Sequence, residues 1–282
     1  MKQNIYLIAD SGSTKTDWAV IEDNQLGKVI TTKGMNPVFQ STDEMVAEIT
    51  ENLLPHLPTK HFSNIFFYGA GCIPEKVSVV ENALRQVLTV DQKVEVNSDL
   101  LAAARALCGK EPGIACILGT GSNSCFYDGK QIAWQVPALG FILGDEGSGA
   151  NLGKRLVSDL LKNQLDDQLK AEFFAKFNTN MADIIENVYR KPFPSRYLAS
   201  LNVFLEQHKT HKAVHALLVN AFSDFIRRNV MQYDYHEYPM NCIGTIALVY
   251  QSELTEAAQA LGVKIGTISK APMEGLLKYH TL

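Results

Sequence analysis

"ADSGSTKTD", residues 9–17, is the stretch on which the reading of the fold turns. It follows the apolar run Ile5–Ala9 and leads into a second, Trp18–Ile21. Five of its nine residues are Gly, Ser or Thr, and aspartates, Asp10 and Asp17, stand at its flanks. Glycine supplies the left-handed conformations of a tight turn, and small residues leave backbone N–H groups and hydroxyls open to an anion. The spacing fits neither G-x-x-x-x-G-K-[ST] nor a G-x-G-x-x-G that opens a helix. It predicts a hairpin, with a strand over 4–10 and another over 16–23.

Outward from that hairpin, "QLGKVITTKG" (25–34) supplies a third strand. Met45, Val46, Ile49, Leu53 and Leu54 recur at helical spacing and predict a helix over 42–56. "NIFFYGAG" (64–71) reads as a buried strand, and "PEKVSVVENALRQVL" (74–88) as a helix opened by Pro74. "KVEVNSD" (93–99) is a strand, and "LLAAARALCG" (100–109) a helix closed by Gly109. A meander followed by alternating helix and strand implies a mixed sheet covered by helices.

The pattern then restarts. "GIACILGTGSNSCFYDGKQIAWQV" (113–136) is strand, small-residue turn, strand, turn, strand, and "ILGTGSNS" answers "IADSGSTK". Helical segments follow at about 146–162, 180–189, 196–208 and 211–231. "LDDQLK" (165–170) reads as an exposed helical turn. "MNCIGTIALVY" (240–250) is a strand running into a glycine turn and a helix to about residue 260; "KIGTISKA" is a last strand. The expectation is two related domains, 1–110 and 111–282, joined near "CGKEPG" (108–113). The second is enlarged by helices, and a closing helix over 272–282 returns to the first.

Composition narrows the function. The 282 residues are 46% hydrophobic and 20% charged, with a formal net charge of −4. That balance belongs to a globular enzyme and gives no electrostatic case for nucleic acid or an anionic membrane. No apolar run reaches membrane-spanning length and the N-terminal one is short for a signal peptide, so a cytoplasmic location is expected. Cys72, Cys108, Cys116, Cys125 and Cys242 are scattered and read as reduced core thiols. His208, His211 and His215 lie at helical spacing, but no acidic or cysteine partner completes a metal set and Lys209 and Lys212 flank them, so they read as a solvated helix face. Trp18 and Trp134 read as core or groove packing.

Seven stretches, in order, carry a resemblance: "DSGSTKTDW", "GMNPVF", "YGAGC", "NSDLLAAARA", "ILGTGSNS", "LGFILGDEGSG" and "IGTIA". Together they resemble the eukaryotic-type N-acetylglucosamine kinases. These are similar to the activator ATPases of 2-hydroxyacyl-CoA dehydratases and benzoyl-CoA reductase, within the superfamily of sugar kinases, actin and heat-shock ATPases. The resemblance implies an α/β fold of two RNase H-like domains, each a mixed sheet flanked by helices, around a nucleotide cleft. It implies ATP and Mg²⁺ as cofactors, an amino sugar as small-molecule substrate, and phosphoryl transfer expected at the C6 hydroxyl; a homodimer is compatible with it.

Residue by residue, Asp10, Ser11, Gly12, Ser13 and Thr14 resemble the first phosphate loop, with Asp10 reaching Mg²⁺ through water. Gly119, Thr120, Gly121 and Ser122 resemble the second, and Gly244 and Thr245 the adenosine loop. Asp99 matches the catalytic base; Asn36, Asp99, Ser122, Asn123, Gly140 and Asp145 match sugar contacts. The first loop, "DSGST", departs from the more glycine-rich "GGGT" often found there. Read locally, Ser98 or Asp99 would equally serve as a helix N-cap, as would Asp145 or Glu146, while Asn36 and Asn123 would suit loop and turn. Of the two acids in "GDEG", Asp145 is read as the sugar contact and Glu146 as structural. N-acetylglucosamine is the expected acceptor, with N-acetylmuramic acid and glucosamine as alternatives. An activator ATPase of a redox enzyme and a non-catalytic amino-sugar sensor are the competing classes.

Overall fold

The computed structural model describes residues 5–12 and 14–281. The chain divides into two compact units. The first takes residues through Glu111, the turn Gly129–Gln131 and everything from Pro272 on; the second takes Pro112–Asp128 and Ile132–Ala271. The second unit is therefore narrower than a continuous 111–282, because the Gly129 turn packs against Lys110 and Glu111.

In the first unit, β1 (Ile5–Ser11), β2 (Lys15–Glu22) and β3 (Gln25–Lys33) form an antiparallel meander. β4 (His61–Gly69) and β5 (Thr89–Ser98) extend it in parallel, giving the order β3-β2-β1-β4-β5. The central strand is apolar through Ala9 because both its faces are covered. Leu7 and Ala9 cluster with Met45 of α1 (Thr42–Glu48), Ile49 just beyond it, and Val80 and Leu84 of α2 (Val77–Val87). Ile8, on the other face, meets Ala102 of α3 (Asp99–Cys108) and Leu276 of the C-terminal helix Met273–Thr281. That terminal helix is pinned by His280, whose ring stacks on Phe66 at 3.8 Å and whose Nε2 lies 2.8 Å from the Tyr68 hydroxyl.

The second unit repeats the topology. β6 (Pro112–Leu118), β7 (Ser122–Asp128) and β8 (Ile132–Trp134) are antiparallel; β9 (Met240–Ile243) and β10 (Ile265–Ser269) run parallel to β6, in the order β10-β9-β6-β7-β8. The first unit links its third and fourth strands through α1. Here seven helices intervene: α4 (Gly140–Leu143), α5 (Gly149–Leu161), α6 (Asp167–Phe177), α7 (Met181–Tyr189), α8 (Pro194–Ser200), α9 (Asn202–Gln207) and α10 (Lys212–Arg228). α11 (Thr245–Val249) and α12 (Gln251–Ala260) then connect β9 to β10. Two mixed sheets flanked by helices match the expected α/β class.

Several elements differ from the sequence expectation, each for a local reason. The helix expected over 42–56 ends at Glu48 and loosens into a π-turn over Ile49–Leu53, where Leu54 N–H bonds to the Ile49 carbonyl. Pro55 next in line has no N–H with which to continue an α-helical ladder. The helix expected from 146 starts at Gly149, because Asp145 and Gly147 hold positive φ and Ser148 supplies the cap. The helix expected over 196–208 breaks at Leu201: the Asn202 amide turns back to the Ala199 carbonyl at 3.0 Å. "LDDQLK" opens a full helix, α6, whose inward side carries Leu169 and Phe173. Trp18 lies in the core, whereas Trp134 is 52% exposed on the short edge strand. Each of the three histidines pairs with a different acid: Glu172 with His208, Asp166 with His211 and Glu256 with His215. They are brought in by other helices, and no metal-ligating cluster occurs among the described residues.

Candidate active site

β1, β4 and β5 are parallel, so their carboxyl ends share one edge of the first sheet, where chain departures leave room for ligands. Asp10 is the penultimate residue of β1, opposite Tyr68 of β4; Ser98 ends β5 opposite Gly69. Asp99 is the first residue of α3. The cap is Ser98, whose hydroxyl accepts the Leu101 N–H at 3.2 Å, while one Asp99 oxygen accepts the Leu100 N–H at 2.8 Å. Helix capping is thus satisfied without Asp99.

Burial, then the neighbouring Asp99 and Asp17 carboxylates, push the Asp10 pKa up to about 7 against the pull of Lys15. Burial also raises Asp99, partly offset by backbone hydrogen bonds. The Cys72 thiol is close enough to feel Asp99; burial first, then that charge, push it up to about 12. It is a packing thiol rather than a nucleophile. The first unit therefore gathers Asp10 and Asp99 into one desolvated acidic pair.

The first hairpin tip is tighter than its composition suggests. Gly12 N–H donates to the Lys15 carbonyl at 2.9 Å, so this amide is spent on strand pairing. Ser11 faces inward: its hydroxyl lies 2.7 Å from that of Thr16 and donates to the Met35 carbonyl at 3.0 Å, while Met35 N–H donates to it at 2.9 Å. Thr14 is exposed at the tip, and Ser13 lies outside the described residues. Asn36 follows the segment that Ser11 fixes. Its Oδ1 accepts the Val38 N–H at 2.9 Å and its N–H donates to Gln40 Oε1 at 2.7 Å, leaving the side-chain NH₂ as the donor face. The local-loop reading of Asn36 is met by Oδ1 alone.

In the second unit, Gly119 N–H donates to the Gly121 carbonyl, and α5 reaches back to the loop through Gly149 N–H to Gly119 and Ala150 N–H to Thr120. Ser122 is turned inward like Ser11, donating to the Glu146 carbonyl at 2.8 Å. Its N–H donates to Asp145 Oδ1 at 3.2 Å. Asp145, buried and with φ of 54°, sits before the Ser148 cap and so is no cap itself. Desolvation raises its pKa, the Ser122 N–H lowers it, Glu146 raises it and Lys154 lowers it. Glu146 pairs with Arg228 at 2.8 Å. Asn123 Oδ1 accepts from Ser124 N–H at 2.9 Å and Gln135 Nε2 at 3.0 Å. Gly140 opens α4 at an exposed position with φ of 74°.

Gly119, Thr120 and Thr245 come together around a cleft of about 310 Å³. Gly244 turns the chain into α11 with φ of 126°, and any Cβ there would run into the Leu118 carbonyl. The strand-end backbone and the α11 entry can approach only because this residue is glycine. Asn202, Glu206, Ile246 and Tyr250 also line the cleft, and none was singled out in the sequence. Asn202 is fully committed: Nδ2 donates to Gly149 and Ala199 carbonyls, and its oxygens accept from Tyr250.

Repeated β-meanders with two parallel strands added, and small-residue hairpins at each meander, define an α/β protein of the sugar-kinase and actin-like ATPase fold. No family model matches the chain. A Porphyromonas gingivalis structure, provisionally named an N-acetylglucosamine kinase, is 44% identical with a TM-score of 0.94, covering 98% of each chain. The chain belongs to the family of that protein. A Chromobacterium violaceum structure with the same provisional name is 17% identical at a TM-score of 0.76, covering 98% of each chain, and shares the fold. The Clostridium acetobutylicum N-acetylmuramic acid/N-acetylglucosamine kinase is 27% identical over 207 residues. That match spans 68% of this chain and 66% of the length of that curated relative.

Proposed function

We propose that the chain is an ATP-dependent kinase of an N-acetylated amino sugar, forming the 6-phosphate of N-acetylglucosamine. The observation that carries this reading is the acidic pair at the carboxyl edge of the first sheet, with capping of α3 left to Ser98. Asp99 is then free to take the proton of the attacking hydroxyl at its carboxylate. Desolvation raises its proton affinity toward the range a general base needs. The backbone at Gly119 and Thr120, with Thr245 beyond, would receive the nucleotide in the second unit's cleft. Asn36 and Asp145 would orient sugar hydroxyls, the former as donor and the latter as acceptor.

Asp10 fits a divalent cation. It is a carboxylate whose proton affinity burial and then two further carboxylates raise, the setting in which a cation replaces the proton. Asp10 would hold Mg²⁺ through water, and the metal would offset charge on the ATP phosphates. The name of the Clostridium relative favours a second acceptor, N-acetylmuramic acid.

A phosphorylation screen with ATP over N-acetylglucosamine, N-acetylmuramic acid, glucosamine, N-acetylmannosamine and glucose tests the reading. An N-acetylated amino sugar should be the best acceptor, in a reaction requiring Mg²⁺. ATP hydrolysis without phosphorylation of any sugar, together with an iron–sulfur chromophore in anaerobic protein, would replace the kinase by an activator ATPase.

A further inference from the structure

The segment Ala138–Asp145 of the second unit is a closed loop. Asp145 N–H donates to the Ala138 carbonyl at 3.1 Å, tying its ends, and Gly144 N–H donates to Gly140 at 2.8 Å inside it. Leu139, Gly140 and Asp145 all hold positive φ, so its path is set by strained turns rather than by a regular helix. Its outer surface is apolar: Leu139, Ile142 and Leu143 are 62%, 73% and 70% exposed. Two things tie its middle down. The Phe141 ring packs on the second unit's core, and Lys154 of α5 donates from Nζ to the Phe141 carbonyl at 3.0 Å. Lys154 also lies near enough to Asp145 for its charge to act on that carboxylate.

We propose that Lys154 is a positioning residue for the acceptor sugar, fixing the Phe141 carbonyl and balancing Asp145 so that Gly140 and Asp145 are presented together. This rests on the sugar-kinase reading of the same site. One ammonium serves both the loop's crest and its charged end, which a neutral side chain cannot do. Without it, the crest is held by one ring, and Asp145 keeps only the Ser122 N–H as a favourable partner. Lys154 does not line the nucleotide cleft, so its loss should register on the sugar and not on ATP.

The test is steady-state kinetics of the full chain with ATP and N-acetylglucosamine, comparing Lys154→Met and Lys154→Arg. Met keeps the unbranched stem, one atom shorter, and removes the charged donor. It should raise the sugar KM by roughly tenfold, as expected for loss of a charge-assisted hydrogen bond, with the ATP KM within about twofold of wild type. Arg, which can still reach a carbonyl, should recover most of the loss. An unchanged sugar KM in the Met variant, or equal rises for sugar and ATP, overturns the assignment. If Met lowers the melting temperature, Lys154→Gln, a neutral donor, decides: its sugar KM should still rise, because it cannot balance Asp145. Wild-type protein that phosphorylates no amino sugar removes the kinase reading itself. An active wild type with an unaffected Met variant removes only the role of Lys154.

Discussion

The hairpin tip of the first unit and that of the second share a composition but are secured differently. In the first, the strands close the turn themselves: Ser11 pairs with Thr16 in register, Gly12 N–H bonds to Lys15, and the Ser11 hydroxyl fastens the chain at Met35. In the second, Leu118 pairs with Ser122, and the turn between them is clamped from outside by the first turn of α5. The acidic pair belongs to the first, and the cleft-lining backbone to the second. A repeated topology thus carries paired carboxylates in one copy and a cleft lined by backbone in the other.

The largest expected effect probes that division at Asp99. Asp99→Asn keeps size and helix-start compatibility but cannot take a proton. Turnover should fall about 100-fold or more while nucleotide affinity stays near wild type. Ser98 already caps α3, so the variant should melt within a few degrees of wild type. Normal turnover would remove Asp99 from the mechanism.

Next in size is Gly244→Ala, which strikes the proposed nucleotide cleft. A side chain at φ of 126° that also meets the Leu118 carbonyl forces the end of β6 and the α11 entry apart. Nucleotide affinity should drop at least about tenfold, with stability down by about 2 kcal/mol, a usual cost of a strained backbone position. Calorimetric titration with an ATP analogue measures the first and denaturant unfolding the second. Tight binding in a stable variant would mean the cleft tolerates a wider entry.

Much of this was legible in the sequence because it depends on short-range chemistry. "IADSGSTK" and "ILGTGSNS" each turn a strand with small residues, and the alternation of helix and strand after the first meander points to its parallel additions. What was not legible depends on approach between distant segments. Asn202 breaks a helix and joins the cleft because α8 lies against α5, and Lys154 matters because a loop thirteen residues upstream leaves a carbonyl within 3.0 Å. The choice between Ser98 and Asp99 as cap was open because both residue types cap well; only the hydrogen bond to Leu101 decides it. α6 reads as no more than a helical turn from "LDDQLK", its polar start, because Phe173 and Phe177, which anchor it, lie beyond.

A smaller effect concerns Asp10 and pH. Its pKa in the folded protein, about 7, lies above the 3.8 of an unperturbed carboxyl. The folded state therefore binds the extra proton between those values, and stability from this group falls as pH rises from about 4 to about 7. Asp99, also raised, acts with the same sign. Asp10→Asn should make the melting temperature of metal-free protein a few degrees higher at pH 8 and its decline from pH 5 shallower. Magnesium with nucleotide should recover the wild type at pH 8 but not the variant. A parallel pH profile in the two proteins would mean Asp10 is well hydrated when ionised.

The smallest expected effect compares the two inward serines directly. Ser11→Ala removes a hydroxyl that serves both backbone groups of Met35 in a fully buried setting, and leaves the Thr16 hydroxyl one partner short. Buried groups left unpaired cost about 1–3 kcal/mol. Ser122→Ala leaves only the Glu146 carbonyl without its side-chain donor, since the Ser122 N–H to Asp145 is a backbone bond and survives. It should cost about 1 kcal/mol or less, because a carbonyl tolerates a missing partner better than an N–H does. The difference between the two variants, read as midpoints at equal denaturant slope, measures how far each tip relies on its own side chains. Equal losses would show that the clamp from α5 does not relieve the second serine, and the two hairpins would then be secured alike.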